Sequence, residues 1–235
     1  VCYRLESLIL LISDSTIQSI ENLESIRHEL ENNDLLAADY PDACGQGPKW
    51  TEEQIETRNG IRIRAAGTQK KVRGRGHRAE RPTLIIVDDL ENDDSVVSDK
   101  MRERTWRWFT RALIPAGQPK TNMLFVGTAL HPDDALQKIK VGKQVAGWRI
   151  KCFSALIREP TRQDLWDQWR QVFRDLSLTA DQRETSARAF YEERRHQMDE
   201  GAELLWPERE PLYDLMVLRE TVGETAFQAE KQGNA

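Results

Sequence analysis

The segment TLIIVDDLENDD, residues 83–94, ends an apolar run in five carboxylates within seven residues: Asp88, Asp89, Glu91, Asp93 and Asp94. Like charges about 5 Å apart in water repel by only ~1 kcal/mol, so a solvated acidic turn is tolerated. Position supports a second reading. Open α/β sheets bind ligands beyond the carboxyl ends of their strands, and this cluster follows an apolar strand pattern. LIIV followed by an acid has the form of a Walker B strand. In that reading Asp88 holds magnesium through water, and a second acid, Asp89 or Glu91, polarises an attacking water. Asp93 and Asp94 suit the first turn of a following helix, where the macrodipole favours anions.

A second apolar run, FVGTALH (125–131), ends in Gly127 and Thr128. A small residue and a hydroxyl at a strand end can sense a γ-phosphate and transmit its loss; the pair also serves as an ordinary strand-to-loop turn. No GxxxxGK[ST] occurs in the chain, and the glycines of CGQGPKW and RGRGHRAERP lack that spacing. QKKVRGRGHRAER (69–81) holds six Lys or Arg against one acid. Arg73, Arg75 and Arg78 are candidate contacts to phosphate, of a nucleotide or of DNA, with glycines permitting close approach. A solvated basic face explains such a run equally well. Trp106, Trp108, Trp166 and Trp169 could stack on bases, but their helical spacing reads as core anchoring.

The elements that must position these residues alternate. Leu8–Ile12 reads as a buried strand, with Asp14 or Ser15 capping a helix that carries Ile17, Ile20, Leu23, Arg27 and Leu30 at helical spacing. Residues 39–50 read as loop, 61–67 as a strand, 68–82 as a basic loop and 83–89 as a strand. A helix over 95–113, capped by Ser95, follows. Then come a strand at 122–128, a helix opened by Pro132 in its first turn, and a strand at 148–156. Beyond Pro160 the pattern is helical, with a long helix that ends at Gly201 as its C′ residue. Continuous apolar strands alternating with helices predict an α/β fold: a mostly parallel sheet covered on both faces, with a helical pair near the C-terminus.

Composition sets outer bounds. A net charge of −5 gives no bulk attraction to nucleic acid, so any DNA contact must be local. Cys2, Cys44 and Cys152 are odd in number and far apart, which predicts neither a disulfide framework nor a zinc site and favours a reducing compartment. No apolar run approaches the roughly 18 residues that cross a bilayer. Leu8–Ile12, with Glu6 before it, is no signal peptide. The chain opens at Val1 rather than Met, almost directly in a strand, which predicts a missing N-terminal segment.

The order LILLISDSTIQSIENLESIRHEL, RGRGHR, RPTLIIVDDLEND, MLFVGTALHPDD, then LWDQWRQVF, ARAFYEERRHQMDEG, LLWPERE and ETAFQAE, resembles the large subunit of tailed-phage terminases over nearly the whole chain. The resemblance implies an additional-strand, RecA-like P-loop ATPase that drives double-stranded DNA into a procapsid. It would work with ATP and Mg2+, as a homo-oligomeric ring on the portal protein, with a small terminase subunit, in the cytoplasm of the bacterial host. Carried over, Asp88 is the magnesium-associated acid, Asp89 the catalytic carboxylate with Glu91 as rival, and Gly127 and Thr128 the coupling motif. The Walker A loop would precede residue 1 and the nuclease half is absent, so this chain alone is expected to bind ATP poorly and to be inactive. The implied layout is one incomplete ATPase domain: a sheet core over 1–157, a helical excursion over 158–203, and a return over 204–235. Two other readings remain: a metal nuclease using Asp88, Asp89 and Glu91, with Asp14 as a further ligand, and a non-catalytic DNA-binding remnant.

Overall fold

LILLIS forms strand β1 (Leu8–Ser13), and its neighbours explain why every residue in it is apolar up to the last. Ile9 and Leu11 enter one core with Leu23, Leu30, Ile55 and Ile63, whereas Leu10 and Ile12 enter another with Ile85, Val87 and Phe109. A strand covered on both faces cannot alternate in polarity. The structure is a computed structural model that describes residues 1–72, 80–142 and 147–234. It comprises two units, Val1–Trp148 and Arg149–Ala235. The expected segments 158–203 and 204–235 thus share one unit, and the boundary precedes residue 157.

In the first unit, α1 (Thr16–Asn32) is capped by Ser15, whose side chain accepts the Gln18 N–H. Leu23 and Leu30 are buried, but Ile17 is 71% exposed, so the apolar stripe begins one turn later than its spacing suggests. A short helix α2 (Asp34–Asp39) precedes β2 (Gln46–Trp50), β3 (Gln54–Thr57), β4 (Arg62–Gly67) and β5 (Leu84–Asp88). Then follow α3 (Asp93–Val96), α4 (Asp99–Trp108), β6 (Asn122–Val126) and α5 (Ala135–Lys140). The sheet runs β2-β3-β4-β1-β5-β6; β4, β1, β5 and β6 are parallel, and β2 and β3 are antiparallel additions. The chain is therefore α/β with a mostly parallel six-stranded sheet flanked by helices.

Three expectations in this unit fail for identifiable reasons. Residues 46–50, read as loop, form an outer strand; Pro48 is tolerated at a sheet edge, and Gly47 lies so close to Glu56 that a Cβ would meet its carbonyl oxygen. The single helix over 95–113 is broken. Asn92, not Ser95, caps α3, Ser95 completes the capping box from inside, and α4 begins after an extended Ser98. Past α4 the chain widens into a π-turn over Phe109–Leu113 and tightens into a 3-10 turn at Ile114–Ala116, where Pro115 sits. Pro132 lies ahead of α5, which starts at Ala135 under an Asp134 cap. Coverage of the sheet is also incomplete: Met123 and Phe125 of β6 enter the core, while Leu124 and Val126 on its other face are 51% and 50% exposed.

No strand forms over residues 148–155: Trp148 packs against Phe109 in the first unit, whereas in the second unit Ile150 and Phe153 are 49% and 67% exposed. Only its end pairs, as β7 (Leu156–Arg158) with β8 (Glu203–Leu204). Between them stand α6 (Gln163–Phe173) and α7 (Ala180–Met198), and α8 (Leu212–Val222) and α9 (Glu224–Gln232) follow. The α7 cap is Asp199, with Gly201 two residues beyond at φ +79°. Trp166 and Trp169 are fully buried with Tyr191, Tyr213 and Met198, and the Trp166 indole donates to the Met198 carbonyl. Among the described residues, no helix is long and apolar enough to cross a membrane.

Phe109 anchors the core beneath β5 and β6; it is fully buried and stacks on Trp106 at 5.7 Å. Phe109→Ala is expected to remove about 3–5 kcal/mol in urea unfolding. A loss below about 1 kcal/mol contradicts this packing.

Candidate active site

The sheet order fixes where a ligand crevice falls. From β1 the chain returns through α1 to β4 on one side, and from β5 it returns through α4 to β6 on the other. The carboxyl ends of β1 and β5 therefore flank the point where strand order reverses, the usual binding crevice of open α/β sheets. Asp14 follows β1, and Asp88 ends β5.

Asp88 and Asp89 diverge. Asp88 still pairs in register with Val126. Its Oδ2 accepts a 3.0 Å hydrogen bond from Asn22 Nδ2, which also reaches Ser13 Oγ at 3.3 Å. Asp89 turns into the left-handed region, φ +49°, while its N–H donates to the Val126 carbonyl at 3.1 Å. The Thr128 backbone N–H lies near enough to its carboxylate to favour the charged form. A Cβ on Gly127 would stand 3.2 Å from Asp89 Oδ1, so a larger residue there would crowd that carboxylate. Asp89, Gly127 and Thr128, separate in sequence, form one local group.

Burial raises the Asp89 pKa first, the neighbouring charge of Asp88 next, and Asp14 adds to it; the Thr128 N–H opposes the shift. Asp89 is thus a stronger base than a free aspartate and remains solvent-exposed. Asp14 is held by the side-chain amide of Asn92, Nδ2 to Oδ2 2.7 Å. Thr68 Oγ1 lies 3.0 Å from both the Ser13 and the Leu90 carbonyl, and its single O–H, shared between them, links β1 to the chain after β5.

Glu91 is placed differently. It is 8% exposed, and its Oε2 accepts the Ala135 N–H at 2.6 Å. Its Oε1 is shielded from solvent with no hydrogen-bond partner among the described residues. Asp134 completes the same corner by accepting the N–H groups of Leu130, His131 and Gln137. A cavity of about 10 Å³, the size that admits one water, is bounded by Asp89, Glu91, Gly127, Thr128 and Asp134. Burial pushes the Glu91 carboxyl up to about 7, assisted by Asp134 and opposed by the Ala135 N–H, Lys138 and Arg102.

Among the described residues, no three His, Cys, Asp or Glu side chains converge to hold a metal. Asp14, Asp88 and Asp89 do not build a protein cage. Magnesium takes most of its ligands from water and phosphate and needs only one or two carboxylates from a protein. Arg73, Arg75 and Arg78 lie outside the described residues. Asn22, Asn92, Thr68 and Asp134 escaped the sequence reading because single amides and hydroxyls carry no spacing signal. No protein-family model and no curated protein matches the sequence.

Because the folded pKa of Glu91 lies above the ordinary 4.5, the folded state favours the protonated carboxyl. That stabilisation is complete below about pH 4.5 and is lost as pH rises through about 7. Glu91→Gln removes the titration. Relative to the native protein, the variant should gain stability on the order of 1–3 kcal/mol as pH rises from about 5 to about 8 in chemical unfolding. A difference that stays constant with pH contradicts this placement of Glu91.

Proposed function

We propose that the chain is the ATPase portion of a tailed-phage terminase large subunit, with a P-loop, additional-strand sheet. In this reading ATP hydrolysis translocates double-stranded DNA into a procapsid. The observation that carries it is the contact of the Asp89 carboxylate with the Gly127–Thr128 turn beside Asp88. That group joins a base of raised pKa to the strand end that would report loss of a γ-phosphate.

The geometry supports these roles in the proposal. Asp88, oriented by Asn22, is suited to hold magnesium through water. Magnesium, when bound with ATP, supplies charge neutralisation on the phosphates. Asp89 polarises the attacking water, for which its raised pKa and exposure suit it. Glu91, buried against Ala135, suits a tether of the β6–α5 corner better than a base. A Walker A strand carried elsewhere in the full-length protein would have to reach these groups. The open edge of β6, with Leu124 and Val126 half exposed, lies next to them, whereas the other sheet edge, β2, lies four strands from β5. The portal protein, the small terminase subunit, a homo-oligomeric ring and the bacterial host cytoplasm belong to the same proposal.

The nuclease alternative needs carboxylates converging within a few ångströms on two metals. The absence of any three-ligand group among the described residues weighs against it. In the full-length protein, Asp89→Asn is expected to lower ATP hydrolysis by at least about 10²-fold while nucleotide affinity stays within a few-fold. Hydrolysis at the native rate removes Asp89 as the catalytic acid. Magnesium-dependent plasmid cutting by residues 1–235 without ATP favours the nuclease instead.

A further inference from the structure

Two residues past the Asp89 turn, the chain carries Glu91 inward until it is 8% exposed. A buried carboxylate is rare unless it is paired, so each of its oxygens calls for a partner. Oε2 has one, the Ala135 N–H at 2.6 Å. Oε1 is shielded from solvent and has none among the described residues.

The space beside it is small and divided in character. The cavity of about 10 Å³ has an apolar wall of Leu90, Phe125, Leu130 and Leu136 and a polar wall of Asp89, Glu91, Thr128 and Asp134. It admits one water and nothing larger. Asp134 is already engaged, since its carboxylate accepts the N–H groups of Leu130, His131 and Gln137. Asp89 Oδ1 stands close by: a Cβ on Gly127, which also lines the cavity, would lie 3.2 Å from it and 3.8 Å from the Phe125 ring. Two carboxylates are thus left as acceptors, and a water molecule, with two O–H donors, can bridge them.

We infer that this cavity binds one ordered water, which donates to Glu91 Oε1 and to the Asp89 carboxylate and makes Glu91 a positioning residue for Asp89. The water satisfies the oxygen that the fold leaves unpaired. It also fixes the orientation in which Asp89 presents its carboxylate to the crevice. Glu91 acts through this water and touches no substrate. The water site rests on packing and hydrogen bonding alone; its consequence for hydrolysis rests on the proposed role of Asp89.

The test uses isotope-labelled residues 1–235 and cross-relaxation between water and backbone amides, which detects a long-held water. The native chain should show such contacts at the amides of Gly127, Thr128 or Leu136. Glu91→Gln, whose side-chain amide can still bond the water, should keep them, and Glu91→Met should lose them. Gly127→Ala, which places a methyl between Asp89 and Phe125, should also lose them while the Ala135 N–H still exchanges slowly with solvent. No held water in the native chain, or one that persists in Glu91→Met, overturns the inference. With residues 1–235 joined to the proposed Walker A segment, Glu91→Met should lower kcat for ATP about tenfold with KM within about twofold, and Glu91→Gln should restore kcat to within about threefold of native. A native kcat in Glu91→Met overturns the positioning role. Absence of hydrolysis by the native protein overturns the proposed function instead, and the held water then decides this inference by itself.

Discussion

The left-handed turn at Asp89 is the constraint on which the candidate site depends. A non-glycine residue with positive φ is uncommon and costs on the order of 1 kcal/mol or more, although aspartate tolerates it better than most. One contact offsets part of that cost: the Asp89 N–H continues the ladder to the Val126 carbonyl. The turn separates the consecutive acids, leaving Asp88 to the Asn22 side and sending Asp89 over Gly127. It also drives Leu90 into the core, at 2% exposure, and Glu91 against Ala135. One backbone conformation thus gives three neighbouring carboxylates three different environments.

Charge is segregated along the carboxyl ends of the strands. The crevice between β1 and β5 gathers Asp14, Asp88 and Asp89, whose repulsion contributes to the raised Asp89 pKa. The β4 end carries Arg64, Lys70 and Lys71. Such separation produces local potentials that the net charge of −5 conceals.

What the sequence disclosed follows from burial. Strands β1, β5 and the inner face of β6 were legible because residues buried on both faces, or between core and ladder, must be apolar without interruption. The placement of Asp88, Asp89, Gly127 and Thr128 at the ends of paired strands was legible because each group closes an apolar run. β2 and β3 were hidden: outer strands of QGPKW and QIET carry glycine, proline and polar groups that resemble loop chemistry. The run 148–156 misled for the opposite reason, since apolar content predicts burial only where a partner surface exists. The separate placements of Asp89 and Glu91 depend on a single φ angle and a contact to Ala135, neither of which is written in residue types.

Affinity cleavage in residues 1–235 joined to the proposed Walker A segment tests the central claim most directly. Iron(II) replaces magnesium in the presence of ATP, ascorbate generates hydroxyl radical at the bound cation, and the cut sites are mapped by mass spectrometry. A divalent cation and a triphosphate seated beside Asp88 and Asp89 should give ATP-dependent cuts both near residues 88–89 and near the Thr128 turn. Efficient ATP-dependent cleavage elsewhere, with both of those segments intact, would contradict a motor site at the end of β5.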